Sequence, residues 1–326
     1  MTINMAHGSG GKASAELMKD VFGKYFNNEI LSQMEDAAVL KINGKIAFST
    51  DTFVVSPIFF KGGDIGKLSI CGTVNDLLMM GAEPKYLTVG FVLEEGLQIK
   101  ALETIVCSMA RTAAEAGVLI VAGDTKVIEG SGGLYINTSG IGIIPEDRNI
   151  SSSNLNPGDE VILSGNLGDH HACILSSRLG IENSISSDCS ILEPITHTLF
   201  LNKIAVKAMR DVTRGGLGTV LNEFAEASNC RIEMKEEAIP VSQEVSGFSS
   251  LLGLDPIYMA NEGKMIIVVS NEDAEQALTL IRETEIGKNA AIIAKIVDGT
   301  GVTMKTRLGG SRVVDMLYGE GLPRIC

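Results

Sequence analysis

Short apolar runs and longer stretches with helical spacing follow one another along the chain, and their order predicts the elements. Residues 14–26 read as a helix behind the glycine-rich Gly8-Ser9-Gly10-Gly11-Lys12. Residues 37–40 and 45–50 read as short strands joined by the turn signal Asn43-Gly44. Residues 64–80 place Ile65, Leu68, Cys71, Leu77 and Met80 at helical intervals. Gly81 ends that run and Pro84 prevents its return. Strand patterns at 86–93, 118–121 and 133–143 surround a helix over 100–116 that Gly117 stops.

The polar, turn-rich stretch Ser151-Ser-Ser-Asn-Leu-Asn-Pro-Gly158 marks the domain boundary. Beyond it, residues 159–163, 264–269, 291–297 and 302–305 read as strands. Helices fall at 171–179, 192–204, 217–227 and 273–283, the third entered through Arg214-Gly215-Gly216. Strands and helices mix irregularly in both halves, which predicts an α+β protein of two domains, 1–150 and 151–313, with a tail over 314–326. No repeat of solenoid period and no low-complexity segment interrupts this order.

Composition narrows the function. The chain has 326 residues, 45% hydrophobic and 21% charged, enough apolar material for two cores. A net charge of −13, no tryptophan and few aromatics argue against nucleic acid and against an anionic membrane as partner. The same charge means that a bound polyphosphate needs cations beside it. The cysteines Cys71, Cys107, Cys173, Cys189, Cys230 and Cys326 lack CxxC spacing and read as reduced thiols of a cytoplasmic protein. No basic segment followed by an apolar one predicts a signal peptide, and apolar runs such as 265–269 are strand-sized.

Candidate chemistry gathers at acidic positions. Asp36 precedes an apolar run, Asp51 follows the strand over 45–50, and Asp124 lies after the strand over 118–121. Asp76, in Asn75-Asp76, sits inside an otherwise apolar helix, costly unless paired or bound to a cation. Hard oxygen ligands from several loops suit Mg²⁺, although each aspartate taken singly also reads as a turn or cap residue. Gly8 to Lys12 offers backbone amides and a lysine to phosphate without the spacing of a P-loop. Lys126, and Glu262 at the entrance of a strongly apolar strand, are ionisable candidates, Glu262 as a general base or a solvent-exposed turn residue. Arg210-Asp211-Val-Thr-Arg214 reads as an anion site or a capped helix start. Asp169-His170-His171 lacks a third ligand and the metal reading is rejected. In the tail, glycines 319 and 321 give backbone freedom and Pro323 an extended course, which puts Arg324 on the side of Cys326. The cation favours thiolate at Cys326 and a terminal carboxylate opposes it.

The motifs Asp36-Ala-Ala-Val, Thr50-Asp51, Asn75-Asp76, Gly123-Asp124-Thr and Thr213-Arg-Gly-Gly resemble the superfamily of aminoimidazole ribonucleotide synthetase, thiamine monophosphate kinase and selenophosphate synthetase. More narrowly, His7-Gly-Ser-Gly-Gly-Lys12, Ser56-Pro-Ile-Phe-Phe-Lys-Gly-Gly-Asp-Ile-Gly-Lys67, Gly123-Asp-Thr-Lys126, Ala260-Asn-Glu-Gly-Lys264 and Leu322-Pro-Arg-Ile-Cys326 are similar to the HypE family of hydrogenase maturation factors.

The resemblance implies an ATP-dependent carbamoyl dehydratase. A carbamoyltransferase, HypF, loads a carboxamide onto Cys326, and ATP phosphorylates its oxygen. Loss of phosphate leaves a thiocyanate, which passes as cyanide to the iron of a [NiFe]-hydrogenase through HypC–HypD. It implies a homodimer with ATP near the interface of barrel-forming N-terminal domains of mixed β-sheet, a C-terminal α/β sandwich, and a flexible tail. It places Mg²⁺ and phosphates on Asp36, Asp51, Asp76 and Asp124, nucleotide on Gly8, Ser9, Gly10, Gly11, Lys12, Asn75 and Asp76, and amide chemistry on Glu262 and Lys126. Three other readings compete: a related synthetase or kinase acting on a free small molecule, which tolerates loss of Cys326; a non-catalytic nucleotide-binding scaffold; and a redox or metal-binding protein using its cysteines, against which the lack of paired cysteine spacing counts.

Overall fold

The computed structural model describes residues 2–8, 12–33 and 37–316. Ser9, Gly10, Gly11, Asp36 and Cys326, with the tail from 317 onward, lie outside the described residues.

The first half opens with α1 (Lys12–Leu17), a π turn over Met18–Phe22, and α2 (Gly23–Tyr25), which together cover most of the helix predicted at 14–26. Then come β1 (Lys45–Phe53), the small hairpin β2 (Phe59–Phe60) and β3 (Gly63–Asp64), α3 (Ile65–Met79), β4 (Glu83–Glu94), α4 (Ile99–Glu115), β5 (Leu119–Ile128) and β6 (Leu134–Ile144). Asp64 caps α3, accepting the Lys67 amide at 2.9 Å. The main sheet has the order β1-β6-β4-β5, with β4 and β5 parallel across the α4 crossover and the other pairs antiparallel. Leu87, Val89, Phe91 and Leu93 alternate along β4 and are buried with Leu102, Ile105, Val106 and Met109 of α4. Each such side chain contributes about 1.5–3 kcal/mol by leaving water. The opposite face leaves Ile46 and Phe48 of β1 exposed. The sheet is open within one chain, β1 and β5 being its edges, so the barrel implied by the resemblance is not closed here.

Three predicted features differ. Residues 37–40 form no strand: Val39 is 90% exposed, and β1 takes its partner from β6 instead of from the preceding segment. β5 does not stop at Val121 but runs on through Gly123-Asp124-Thr125-Lys126, held by its parallel register with β4. Asp51 likewise lies within β1, not after it.

The second half contains β7 (Glu160–Leu163), α5 (Asp169–Leu179), α6 (Glu193–Leu201), β8 (Ala208–Asp211), α7 (Gly216–Ser228), β9 (Arg231–Lys235), α8 (Gln243–Leu252), β10 (Met265–Val269), α9 (Ala274–Arg282), β11 (Ala291–Val297), β12 (Gly301–Lys305) and β13 (Ser311–Val313). Its sheet runs β13-β12-β9-β11-β7-β10-β8. Every residue of β10 is buried because the sheet is covered on both sides. Ile266 and Val268 pack with Leu217, Leu221 and Phe224 of α7, while Ile267 and Val269 join Leu199 of α6 and Ile281 of α9. The α+β architecture of two sheet-based halves agrees with the sequence. β8, β9, β13 and α8 were not anticipated.

The helix α3 joins the halves. It is apolar around its whole circumference because it is buried on nearly every side, against β1, β6 and α4 and also against β8 and α6. Among the described residues no helix is long and apolar enough to cross a membrane.

Candidate active site

Period-two alternation on β1 turns Ala47, Ser49, Asp51 and Phe53 toward α3. On α3, Gly72 lets the strand approach closely: a Cβ there would sit 2.7 Å from the Phe53 ring and 3.8 Å from Oδ2 of Asp51. One turn on, Asp76 accepts the Ser49 hydroxyl on Oδ2 at 2.7 Å. From the second half, Asp211 at the end of β8, Arg214 before α7 and Glu262 before β10 complete the walls of a ≈ 240 Å³ cleft with Asp51 and Asp76. Asp76 and Asp211 also border a second cavity of ≈ 350 Å³ on the Phe48 and Met80 side.

The electrostatics are those of crowded, desolvated carboxyls. Burial pushes Asp76 up, the Ser49 bond opposes it, the charge of Asp51 adds to it, and Arg210 and Arg214 oppose it. Asp211 is pushed up to about 7, by burial first and then by Asp76. Glu262 is pushed well above the usual carboxylate range by burial, then by the neighbouring Cys189, Asp188, Asp211 and Asp51. A desolvated carboxyl at a cleft holds a base in reserve: it takes a proton readily once ionised and set against a donor.

The loop bearing Glu262 is rigid for reasons written in its own residues. Asn261, fully buried, accepts the Gly168 amide at 2.7 Å and donates to the carbonyls of Val212 and Met259 at 2.9 and 3.0 Å. Lys264 pairs with the buried Asp188 at 3.2 Å. Asp188 was not singled out from the sequence, because it lies in an irregular segment and its partners are far along the chain.

The sequence candidates therefore separate. Asp51, Asp76 and Glu262 share one cleft. Asn75 directs its amide elsewhere, to the backbone of Ser190 and Leu192. Asp124 and Lys126 form an exposed ion pair of 2.9 Å on β5, the far edge of the sheet from β1. The hydrogen bond from Lys126 holds Asp124 below its ordinary value. Asp124 stands at the rim of a ≈ 230 Å³ apolar pocket lined by Phe22, Phe26, Leu31 and Phe91. Gly8 packs on β5, where a Cβ would meet Val127 at 2.9 Å, and Lys12 is exposed, 3.7 Å from Glu16. Asp36, Ser9, Gly10, Gly11 and Cys326 fall outside the described residues. His170 and His171 are buried and held at about 4 by burial, and among the described residues no three His, Cys, Asp or Glu side chains group closely enough to hold a metal ion. Two carboxylates on one cleft still suit Mg²⁺, which keeps several waters and completes its shell on substrate phosphates.

Comparison with known proteins adds to this geometry. Residues 34–144 match the family model for the N-terminal domain of AIR synthase related proteins, and residues 156–307 match its C-terminal domain. The chain is 46% identical to the carbamoyl dehydratase HypE of Escherichia coli K12, over 99% of both chains. It is similar to a crystal structure of hydrogenase maturation protein HypE in complex with ATP, with a TM-score of 0.95 at 46% identity over 99% of both chains. It is also similar to HypE in a crystallised HypE–HypF complex, with a TM-score of 0.82 at 45% identity, covering 92% of this chain and 99% of that one.

Proposed function

The chain belongs to the HypE family of carbamoyl dehydratases, within the AIR synthase related proteins, and on that premise we propose that it uses ATP to dehydrate a carboxamide carried on Cys326 to a thiocyanate. One observation carries the reading on this chain: Glu262, a desolvated carboxyl from the second half, faces the same cleft as Asp51 and Asp76 of the first.

The chemistry assigns the parts. Phosphoryl transfer asks for positioning and charge neutralisation above all. Asp51 and Asp76 fit Mg²⁺ as hard donors whose crowded charge calls for a cation, and bound Mg²⁺ would neutralise the phosphates. Arg214, at the N-terminal end of α7, adds a fixed positive charge on the same wall. Transfer of the γ-phosphoryl turns the amide oxygen into a leaving group. The amide nitrogen then loses both protons: one to solvent on forming the phosphorylated imidate, and the second in the elimination that breaks C–O, forms C≡N and releases phosphate. Glu262 takes the proton of that elimination. Lys126 orients the amide or balances developing charge, and Gly8 to Lys12 with Asp36 and Asp124 contribute to holding nucleotide and metal.

Asp124 and Lys126 stand across the sheet from Asp51, so we assign them to the site of a second copy of the chain in a homodimer built on the uncovered sheet face. The carboxamide comes from the carbamoyltransferase HypF and the cyanide leaves through HypC–HypD, in the cytoplasm.

Full-length protein incubated with its carbamoyltransferase, carbamoyl phosphate and ATP should gain one carbamoyl group on Cys326 and then lose one water by intact mass. Cys326→Ala should do neither. Carbamoylated wild-type protein that cleaves ATP yet never loses water would overturn the reading, as would ATP-dependent turnover of a free carboxamide by Cys326→Ala.

A further inference from the structure

Between α5 and α6, residues 188–192 form neither helix nor strand, and the chemistry above does not use them. Yet this segment touches both halves of the site. At one end Asp188, its side chain 3% exposed, accepts the amide of Glu262 on Oδ1 at 3.1 Å, the amide of Gly263 on Oδ2 at 3.1 Å, and the Lys264 ammonium at 3.2 Å. At the other end the side chain of Asn75, the residue before Asp76, donates to the Ser190 carbonyl at 3.0 Å and accepts the Leu192 amide at 2.9 Å.

Gly263 shows how closely the parts fit. A Cβ there would lie 2.0 Å from the Asp188 carbonyl oxygen and 2.3 Å from Oγ of Ser190. The 262–263 peptide is therefore held from two directions, by hydrogen bonds to the Asp188 carboxylate and by direct backbone contact with the segment.

Asp188 is ionised in this setting. Burial alone would push it up, but Lys264, His170 and the backbone amide of Glu262 bring it below its ordinary value. A buried carboxylate that binds two successive amides and an ammonium makes short-range, charge-assisted bonds that fix orientation as well as position. A loop that needed only to turn has no use for a buried charge, which is costly wherever it is left without partners.

We propose that residues 188–192 are a strut that sets the general base Glu262 in register with Asp76, and that Asp188 is the positioning residue of the elimination step. The inference rests on the assignment of Glu262 as base made under Proposed function. Asp188 does not touch the reacting atoms. It holds the backbone from which the Glu262 carboxyl must reach the N–H of the phosphorylated imidate, and such transfers need heavy atoms about 2.6–3.2 Å apart. In that step Glu262 takes the proton, the freed electron pair becomes the third C–N bond, and the C–O pair leaves with phosphate. Phosphoryl transfer depends on Asp51 and Asp76, which the strut braces but does not itself supply. Loosening the strut should therefore slow elimination while phosphoryl transfer continues, and the stranded phosphorylated imidate should be hydrolysed back to carboxamide and phosphate.

The test is the ratio of ADP formed to water lost from carbamoylated Cys326, measured together on the full chain. In wild-type protein the ratio should be one. In Asp188→Asn and in Gly263→Ala we expect dehydration to fall about tenfold or more, as misplacement of a catalytic group does. ATP affinity by calorimetry should stay within about twofold of wild type, and the ratio should rise above one. A purely structural role would lower ADP formation and dehydration together, at a ratio of one, and that result overturns the proposal, as does unchanged dehydration in both variants. Should Asp188→Asn fail to fold, Gly263→Ala decides, because it removes no charged or hydrogen-bonding group and acts by pushing the loop away from the Asp188 backbone. Failure of wild-type protein to lose water would count against the functional reading itself and leave the variants' ratio undefined, so the two failures are distinct.

Discussion

Ser49 donates its hydroxyl to Oδ2 of Asp76 at 2.7 Å, across the interface between β1 and α3. It is the hydrogen bond that favours the ionised form of a carboxyl which burial and Asp51 push the other way. Hydrogen bonds to charged groups contribute about 1.5–3 kcal/mol, so Ser49→Ala should weaken binding of divalent cation with nucleotide about tenfold at neutral pH. The loss should grow as the pH falls. Asp76 must be ionised to bind a cation, and without Ser49 its protonation begins at higher pH. Titration calorimetry with Mg²⁺ and a non-hydrolysable ATP analogue over a series of pH values checks this, and an affinity equal to wild type at every pH would show that the Ser49 bond does not govern the charge of Asp76.

The crowded carboxyls also set the stability of the ligand-free protein against pH. Asp211, at about 7, and Glu262, pushed well above the usual carboxylate range, bind protons in the folded state that the unfolded chain has already lost. A raised carboxyl contributes stability at low pH and loses it as the pH climbs through its folded value, at about 1.4 kcal/mol per pH unit for each proton involved. His170 and His171, held at about 4, act in the opposite sense, but only below the ordinary histidine value near 6.5. Between about pH 6.5 and 8 the carboxyls are therefore unopposed, and the melting temperature should fall across that window. Asp211→Asn should flatten the fall. A melting temperature that rises through the window would contradict the burial assigned to these groups.

How much of this was legible in the sequence varied with the physics. The helix α3 was readable because apolar residues recur along it, and its all-round burial made Asp76 conspicuous. β10 was readable as an unbroken apolar run. Residues 37–40 resembled a strand because apolar composition alone cannot say whether a segment reaches a pairing edge, and these residues do not pair with the open outer edge of β1. β9 carried the signal in Arg-Ile-Glu-Met-Lys, but five alternating residues are too few to stand out. In α8, Gly247 and three serines dilute the helical pattern, and the helix is held by its Ser242 cap, which accepts the Val245 amide at 3.2 Å, and by packing.

The site divides in the same way. Asp51, Asp76 and Glu262 stood out because a carboxylate beside apolar residues asks for an explanation. Their convergence was not legible, since it depends on how two sheets are set around α3. Asp188 left no trace in the sequence at all: nothing in Ser187-Asp188-Cys189-Ser190 announces a partner more than seventy residues away. Asp124 and Lys126 were legible as a motif, but their separation from Asp51 follows only from strand order.

That separation leads to a test of the assembly. β1 and β5 are the two edges of the sheet, so Asp51 and Asp124 stand three strand spacings apart, about 14 Å. Carboxylates that far apart cannot bind one small cation in one chain. If Asp124 serves the cleft of a second copy, a chain carrying Asp124→Asn and a chain carrying Glu262→Gln should complement each other. In the mixed dimer one cleft has its own Glu262 and the partner chain's intact Asp124, while the other has neither. Random pairing then returns about a quarter of wild-type dehydration from an equal mixture of two inactive variants. Mixed, reassociated protein assayed by the loss of water from carbamoylated Cys326 gives the answer. Activity no greater than the sum of the separate variants would place Asp124 in its own chain's site or in none.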